Sequence, residues 1–391
     1  MVTALAALVV AACVVRFVLC ALGIRAIVKL PRLQAVPVPA SLRWPRVSVL
    51  MPACNEVADL PRALASRRDQ DYPDLEVIAI DDRSTDGTAE LLDEAAAADP
   101  RLRVVHVGSL PEGWLGKVHA LQEGMTHATG EWVLLTDADV ELAPDTVRKA
   151  VAYASSEGLD FVTALPTLAP VSFLVDAAMT DLIRTLLPLL QPDRVRDSRS
   201  GLAVGGGAFM LVRRTAYERT PGLQWLRLEV VDDMAFGQMM KASGAQCAVA
   251  NGAGAVRLAF CKSLRDAVTV SEKAFGSLGR FSIVRLVATV AVMLGTGLAP
   301  LVALAPLWPD AVRLGGLAVL AFDLGSTAAM CRACGMRLLP ALFIPVGSCV
   351  MAALLLRAGW LGVRRGGIVW RGTLYRTEVL RAGMRYRPPG L

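Results

Sequence analysis

Polar and acidic residues directly follow three short apolar runs in the first third of the chain. These residues are Asn55-Glu56, Asp81-Asp82 and Asp137-Ala138-Asp139. A short apolar run bounded by polar residues is typical of a buried strand in a parallel sheet. Because ligands bind outside the carboxyl ends of the strands in open α/β sheets, we expect these carboxylates to line one crevice. A crevice of this kind suits a divalent metal ion that carries a phosphorylated ligand.

Strand and helix patterns alternate through the same region. The sequence predicts strands at 46–53, 75–80, 102–107, 131–136 and 160–164, with helices near 57–68, 87–98, 117–128 and 144–155. This alternation is typical of βαβ units, so we expect an α/β fold with a doubly wound mixed sheet.

The pattern loosens beyond the fifth predicted strand. It indicates an amphipathic segment at 171–190, a glycine-rich strand at 201–213 and a basic amphipathic helix at 264–281. The two amphipathic segments are expected either to lie in a bilayer interface or to pack on the sheet as ordinary helices.

Four long apolar segments indicate a membrane protein. The mean hydropathy of +0.48 is high for a soluble chain, and the excess lies at 2–24, 284–308, 311–331 and 338–357. Each segment is close to the roughly 20 residues that span a bilayer. We expect an N-terminal transmembrane anchor at 1–30, an α/β domain with interfacial helices at 40–282, transmembrane segments at 283–358 and a basic tail at 359–391.

Positive charge predicts the side of the membrane. Arg25, Lys29 and Arg32 follow the first apolar segment, which places the α/β domain in the cytoplasm and Met1 outside. The basic tail should also lie inside, yet three C-terminal spans would leave it outside. Prolines crowd the second apolar segment, at Pro300, Pro306 and Pro309. A re-entrant or interfacial second segment would resolve the conflict. The expected location is a bacterial inner membrane.

Two charges fall inside the apolar segments, and the remaining basic residues cluster beside them. Arg16 and Asp323 are predicted either to pair with each other or, for Arg16, to snorkel toward the surface. The net charge is +6, and anionic lipid explains basic residues at membrane flanks, so no nucleic-acid partner is expected. The eight cysteines are scattered and indicate no disulfide framework.

Four motifs in order resemble those of family 2 glycosyltransferases of the GT-A fold. They are VSVLMPACNE at 47–56, IDDRSTDGT at 80–88, TDAD at 136–139 and the acidic pair at 232–233. PEGWLGK at 111–117 and the anchor, domain and anchor layout are most similar to the membrane-bound branch, which includes ceramide-glucosyltransferase-like and hopanoid-biosynthesis-associated enzymes. The resemblance implies that the α/β domain is catalytic. It also implies that a sugar is transferred from a nucleoside diphosphate donor, with a UDP-sugar favoured, and that the anomeric carbon is inverted.

The TDAD motif is the expected metal site. Asp137 and Asp139 both follow a strand end, and their hard oxygen ligands suit Mg²⁺ or Mn²⁺ on the diphosphate. By resemblance, Asp139 is the direct ligand. A lone Asp-x-Asp also occurs in many surface turns, so the other three motifs are what favour the metal site.

The resemblance also implies a donor pocket. Its nucleoside part is expected to contain Pro52, Asn55, Glu56, Asp81 and Asp82. The alternative for the aspartates is that one of them satisfies the turn before Ser84. Asp86 is expected only to cap the following helix.

Lys117 follows a glycine at a predicted helix start. Backbone N–H groups and an ammonium together attract a diphosphate at such a position. A solvated surface lysine is the alternative.

Asp233 is the predicted catalytic base, with Asp232 beside it. An inverting transfer needs a carboxylate that takes the proton of the attacking hydroxyl. Members of the family usually carry Glu-Asp here, so Asp232 departs from their pattern by one methylene group. An acidic pair at a helix N-terminus also complements the helix dipole.

Two further segments are expected beside the sugars. Gly205, Gly206 and Gly207 would allow close backbone approach to the donor and acceptor sugars, with a flexible turn as the alternative. Arg280 and Phe281 stand where many membrane relatives carry Gln-x-x-Arg-Trp, so Arg280 is expected to hold the diphosphate and Phe281 to support the acceptor.

The missing Gln and Trp favour transfer of a single sugar to a lipid hydroxyl over processive polysaccharide synthesis. A catalytically inactive membrane scaffold with a nucleotide-binding fold is the alternative from another class of protein. The complete set of acidic motifs argues against it.

Overall fold

A computed structural model describes residues 2–370 and 372–388. Met1, Arg371 and residues 389–391 lie outside the described residues, so the predicted side of Met1 and part of the predicted basic tail are not described. The chain divides into two compact units. The sheet unit comprises residues 30–169, 192–259 and 383–388, and the helical unit comprises residues 2–29, 170–191 and 260–382.

Twelve strands lie within the described residues. They are β1 (Val47–Ala53), β2 (Leu75–Asp81), β3 (Leu102–His106), β4 (Trp132–Leu135), β5 (Val140–Leu142), β6 (Phe161–Leu165), β7 (Thr167–Leu168), β8 (Met210–Arg213), β9 (Cys247–Asn251), β10 (Val256–Leu258), β11 (Gly367–Trp370) and β12 (Thr373–Arg376).

The described part of the chain also contains fourteen α-helices. They are α1 (Val2–Lys29), α2 (Leu60–Arg68), α3 (Thr88–Ala98), α4 (Gly116–His127), α5 (Thr146–Ser156), α6 (Phe173–Leu190), α7 (Arg214–Tyr217), α8 (Asp232–Ala242), α9 (Leu264–Val270), α10 (Ala274–Ser277), α11 (Ile283–Val302), α12 (Asp310–Ala333), α13 (Ile344–Arg365) and α14 (Thr377–Gly383).

The sheet unit is built on a seven-stranded sheet in the order β3-β2-β1-β4-β8-β6-β9. The first four of these strands are parallel, while β8 runs antiparallel to both β4 and β6. Val49, Trp132 and Leu134 are fully buried in the core beneath the sheet. Aliphatic and aromatic side chains buried in this way are typical of strands inside an α/β fold. The predicted doubly wound mixed sheet is therefore confirmed.

Two local predictions were wrong. The glycine-rich segment 201–213 is a strand only over Met210–Arg213, because glycine gives a strand no side chain to pack. The basic segment 264–281 is not one helix but α9, a 3₁₀ turn at Ser271–Lys273 and α10. Arg280 and Phe281 then take positive φ values of 45° and 59°, so the right-handed helix cannot continue through them.

Four helices of the described chain are long and apolar enough to cross a membrane. They cover Thr3–Lys29, Ile283–Val302, Asp310–Ala333 and Leu339–Arg365. Pro300 lies in the last turn of α11, and the other two prolines of this region fall in the connection to α12. No proline therefore interrupts the middle of α11, and the re-entrant arrangement stays a prediction.

A buried ionic network joins helices of the helical unit. Arg16 of α1 donates to both carboxylate oxygens of Asp323 on α12, at 2.9 and 2.5 Å. Of the two alternatives predicted for Arg16, the pairing with Asp323 is the one observed. Arg184 of α6 also donates to both Asp323 oxygens, at 3.0 Å, and to Asp181 at 2.8 Å. Asp181 accepts a further hydrogen bond from Ser348 of α13 at 2.8 Å. The two arginines and two aspartates neutralise one another.

The network also shows what becomes of the amphipathic segment 171–190. It forms α6, which packs against α1 and α13 inside the helical unit. The segment thus packs among helices, and its expected position in a bilayer interface stays a prediction.

Candidate active site

Lys117 lies among three carboxylates of the sheet unit. Its Nζ is 2.7 Å from Asp137 Oδ1 and 3.5 Å from Asp232 Oδ2. Burial alone would lower the pKa of Lys117, but Asp137, Asp232 and Asp233 outweigh it and raise this pKa above its ordinary value. The ammonium therefore stays charged, and the structure places it in a carboxylate cluster instead of at a solvated surface.

Asp233 is held at the N-terminus of α8 by two backbone N–H groups. Its Oδ2 accepts from Gly207 N at 3.0 Å, and its Oδ1 accepts from Met234 N at 2.7 Å. Burial, followed by the charge of Asp232, raises the pKa of Asp233, while Lys117 and the two backbone donors oppose the rise. A fixed carboxylate with a raised pKa is suited to accept a proton.

Of the three glycines before β8, Gly205 and Gly207 pack against the carboxylate cluster, whereas Gly206 faces Thr163. A Cβ on Gly205 would lie 1.9 Å from the backbone oxygen of Asp233. A Cβ on Gly207 would lie 2.8 Å from Asp137 Oδ2 and 3.0 Å from Lys117 Nζ. The glycines therefore allow the loop to approach α8 and the TDAD motif, which a flexible turn would not require.

Arg67 of α2 donates hydrogen bonds to the TDAD motif, and the sequence analysis did not identify this residue. Its guanidinium donates to Asp137 O at 3.0 Å, to Thr136 Oγ1 at 3.1 Å and to Val140 O. Burial lowers the pKa of Arg67 to about 10, and the charge of Asp139 opposes this change. Nothing in the sequence distinguishes Arg67 from the adjacent Arg68, so no signal was available.

Asp137 and Asp139 could supply only part of the ligands of a divalent ion. No group of three or more His, Cys, Asp or Glu side chains is placed to hold a metal ion within residues 2–370 and 372–388. Mg²⁺ and similar ions are commonly bound by one or two carboxylates, with substrate phosphates completing the shell. Asp137 Oδ1 contacts Lys117, and the role of Asp139 as direct ligand stays a prediction.

Asp81, the last residue of β2, and Asp82, which follows it, have different surroundings. Asp81 Oδ1 accepts from Ser84 N at 3.1 Å, as the turn alternative expected. Asp82 Oδ1 accepts from Arg83 Nε at 2.8 Å, while its Oδ2 is buried without a hydrogen-bond partner in the described structure. Asp82 is therefore the aspartate with an oxygen left for a ligand.

His106 is a second residue that sequence reasoning missed. Its Nδ1 lies 3.3 Å from Asp81 Oδ2, and its Nε2 lies 3.1 Å from Asp93 Oδ1. Partial burial lowers the pKa of His106, but the two aspartates outweigh this and raise it. The end of β3 carries no motif. The available signal was that His106 ends a predicted parallel strand, and the structure pairs this position with Asp81 of β2.

The segment after β1 is fixed to the second motif by hydrogen bonds. Asn55 has a positive φ of 58°, and its Oδ1 accepts from Thr85 N at 2.8 Å. Glu56 N donates to Thr88 Oγ1 at 2.9 Å. Asp86 accepts from Thr88 N at 3.1 Å, in agreement with its predicted capping role. Pro52 is buried within β1, and its part in a donor pocket stays a prediction.

Arg280 and Phe281 belong to the helical unit. The Phe281 ring is buried against Phe275, with 5.8 Å between ring centroids and nearly perpendicular planes. The backbone oxygen of Phe281 accepts from Arg381 Nη2 at 2.9 Å. These contacts stabilise the positive-φ conformation of Phe281. The predicted roles of Arg280 and Phe281 stay predictions.

Part of the chain is similar to a known protein family. Residues 48–220 match the family model described as glycosyl transferase family 2. Undecaprenyl-phosphate 4-deoxy-4-formamido-L-arabinose transferase of Pectobacterium atrosepticum is 39% identical over 120 residues, which are 30% of this chain and 35% of the relative. Beta-monoglucosyldiacylglycerol synthase of Synechocystis sp. is 29% identical over 199 residues, 50% of this chain and 40% of the relative. The matches thus span well under half of the length of these two relatives.

A solved structure shares the fold. Mannosyltransferase PcManGT from Pyrobaculum calidifontis, solved in complex with GDP-Man and Mn²⁺, superposes with a TM-score of 0.56 and 20% identity, covering 92% of this chain and 99% of that one. The sheet and its carboxylate cluster define a GT-A fold, as predicted. The match to glycosyl transferase family 2 lies in residues 48–220, which are less than half of the chain.

Proposed function

We propose that this protein is an inverting glycosyltransferase that moves a sugar from a nucleoside diphosphate donor to a hydroxyl group of a membrane lipid. The observation that carries the proposal is the Asp233 carboxylate, which is fixed by two backbone N–H groups and lies in one cluster with Lys117, Asp137 and Asp232. The cluster offers a proton acceptor and a cation close together, as displacement of a diphosphate requires.

The chain's own residues divide the chemistry between them. Asp233 takes the proton of the acceptor hydroxyl while that oxygen attacks the anomeric carbon, and the diphosphate leaves from the opposite face. Lys117 provides a positive charge for the diphosphate, and it contacts Asp137 and Asp232 until the donor binds. A divalent ion held by Asp139, with Asp137 beside it, would neutralise charge on the leaving group.

A lipid acceptor is supported by two independent observations. The helical unit contains four helices that are long and apolar enough to cross a membrane. The two relatives described above are named for undecaprenyl phosphate and for a diacylglycerol. An acceptor embedded in the bilayer would reach a site on an anchored protein without leaving the membrane.

The positive-inside rule supports a cytoplasmic position for the sheet unit, as expected from Arg25, Lys29 and Arg32. Residues 383–388 belong to that same unit. The chain therefore returns to the side from which it left, and crosses the membrane an even number of times between residues 259 and 383. Of the three C-terminal candidate helices, we propose that two cross and one lies in the interface or is re-entrant.

The proposal is tested with membranes that contain the full chain. These are incubated with labelled UDP-sugars and GDP-sugars in Mn²⁺ or Mg²⁺, and the lipid fraction is extracted and counted. We expect one donor to label a lipid with the wild-type protein and not with Asp233→Asn. The matched control is Asp71→Asn, because Asp71 is exposed and pairs with Arg148 on the surface. Equal labelling by Asp233→Asn, or no lipid labelling from any donor, would contradict the proposal.

A further inference from the structure

The described end of the chain packs beside the candidate active site. Residues 383–388 follow α14 and belong to the sheet unit, although about 120 residues of the helical unit come directly before them. A Cβ on Gly383 would lie 2.3 Å from the Leu228 Cβ, so the chain passes very close to the loop that leads into α8. The sequence had marked this segment only as part of a basic tail.

Glu229 connects this segment to the loop before α8. Its carboxylate is buried, with 2% of the residue exposed. One oxygen accepts from Val231 N at 3.0 Å, and the other accepts from Arg385 N at 2.5 Å and Tyr386 N at 2.8 Å. Hydrogen bonds to a charged, buried acceptor are stronger than those between neutral groups. One carboxylate thus fixes the chain end and the residues that directly precede Asp232.

Two further contacts hold the segment to the same region. Gln238 of α8 exchanges two hydrogen bonds with the backbone of Arg387, at 2.6 and 3.0 Å. The Arg385 guanidinium lies over the Trp225 ring, 5.5 Å from its centroid, and donates to Trp225 O at 3.3 Å. The chain end therefore contacts α8 and the loop before it on both sides of the acidic pair.

We propose that Glu229 is a positioning residue for Asp233, because its carboxylate clamps residues 383–388 to the loop that leads into α8. This inference deepens the proposed function and rests on it. The clamped segment would hold the N-terminus of α8, and with it the direction in which the Asp233 carboxylate faces the acceptor, because the loop before α8 is irregular.

Hydrogen exchange of the full chain in detergent tests the clamp without any substrate. In the wild-type protein we expect the amides of Arg385 and Tyr386 to be protected, together with the Gly207 and Met234 amides that bind Asp233. In Glu229→Gln, exchange at the Arg385 and Tyr386 amides should rise about tenfold or more, because their hydrogen bonds to a charged group are weakened. Exchange at the Gly207 and Met234 amides should rise with it, because the loop before α8 is released from the clamp. The control Glu157→Gln, at a surface residue that pairs with Arg196, should leave them unchanged.

Unchanged protection of Arg385 and Tyr386 in Glu229→Gln would overturn the clamp. Increased exchange there without any change at Gly207 and Met234 would overturn the connection to Asp233. Both results hold whether or not a donor has been found, so they are separate from a failure of the proposed function.

The positioning role of Glu229 is read from the separate effects on kcat and KM in lipid labelling. Glu229→Gln should lower kcat at least about tenfold and leave the donor KM within about threefold of wild type, because Lys117 and the TDAD motif are unchanged. Glu157→Gln is the matched control and should keep both constants. The role is overturned if Glu229→Gln keeps the wild-type kcat or raises only the donor KM.

Discussion

Replacement of Asp233 by asparagine separates catalysis from folding more cleanly than any other change in the site. Both carboxylate oxygens accept a backbone hydrogen bond, from Gly207 and from Met234. An asparagine has only one acceptor oxygen, so one of these N–H groups loses its partner at a cost of about 1–3 kcal/mol. For a chain of this size, such a loss lowers the melting temperature by only a few degrees.

The catalytic effect should be much larger. General-base catalysis is worth about 10²–10⁴ in rate, so turnover at saturating donor should fall at least about 100-fold. The donor should still bind, because Lys117 and the TDAD motif are unchanged. The assay is initial-rate transfer to extracted lipid, with nucleotide affinity measured in parallel by titration calorimetry. Turnover within threefold of wild type, or a collapse of donor affinity with turnover retained, would refute the assignment of Asp233 as the base.

Three further predictions concern the rest of the site. Asp139→Asn should reduce metal-dependent nucleotide binding at least about tenfold by calorimetry with Mn²⁺, and wild-type activity that survives EDTA would refute the metal site. The pKa of His106 is raised by Asp81 and Asp93, so its stabilising effect is present below about pH 6.5 and is lost as the pH rises through the folded-state pKa. The melting temperatures of wild type and His106→Gln should therefore converge at alkaline pH, and a gap that widens there would show the sign to be wrong. Gly205→Ala should abolish lipid labelling, because its Cβ would overlap the Asp233 backbone, whereas Gly201→Ala has open space and should remain active.

The parts of the site that follow strands could be predicted because a parallel sheet brings strand ends together. The acidic residues after β2 and β4 are placed by that rule alone. Glu229 could not be predicted, because its partners lie about 156 positions away and its own segment is irregular. Arg67 and His106 were missed for a related reason. Each contacts the site through the tertiary fold and carries no motif of its own.

The long apolar helices could be predicted from the sequence, but the internal structure of segment 264–281 could not. Long apolar segments fix the existence of α1, α11, α12 and α13, since length and composition suffice for that inference. Segment 264–281 is divided by the 3₁₀ turn at Ser271–Lys273, and its last two residues take positive φ values. A hydrophobic pattern does not contain that information.

The pairing of Arg16 with Asp323 also constrains how the protein is made. Arg16 enters the membrane with the first helix, but its partner is 307 positions later in the chain. An arginine at the centre of a membrane helix costs about 2.5–3.5 kcal/mol on insertion scales, so the nascent α1 must lie shifted, with its guanidinium drawn toward the headgroups. Arg184 emerges next, but Asp181 of the same helix is already present to pair with it. Arg16 is therefore the charge that has no partner until Asp323 is synthesised, and we expect α1 to settle at its final depth only when α12 has been inserted.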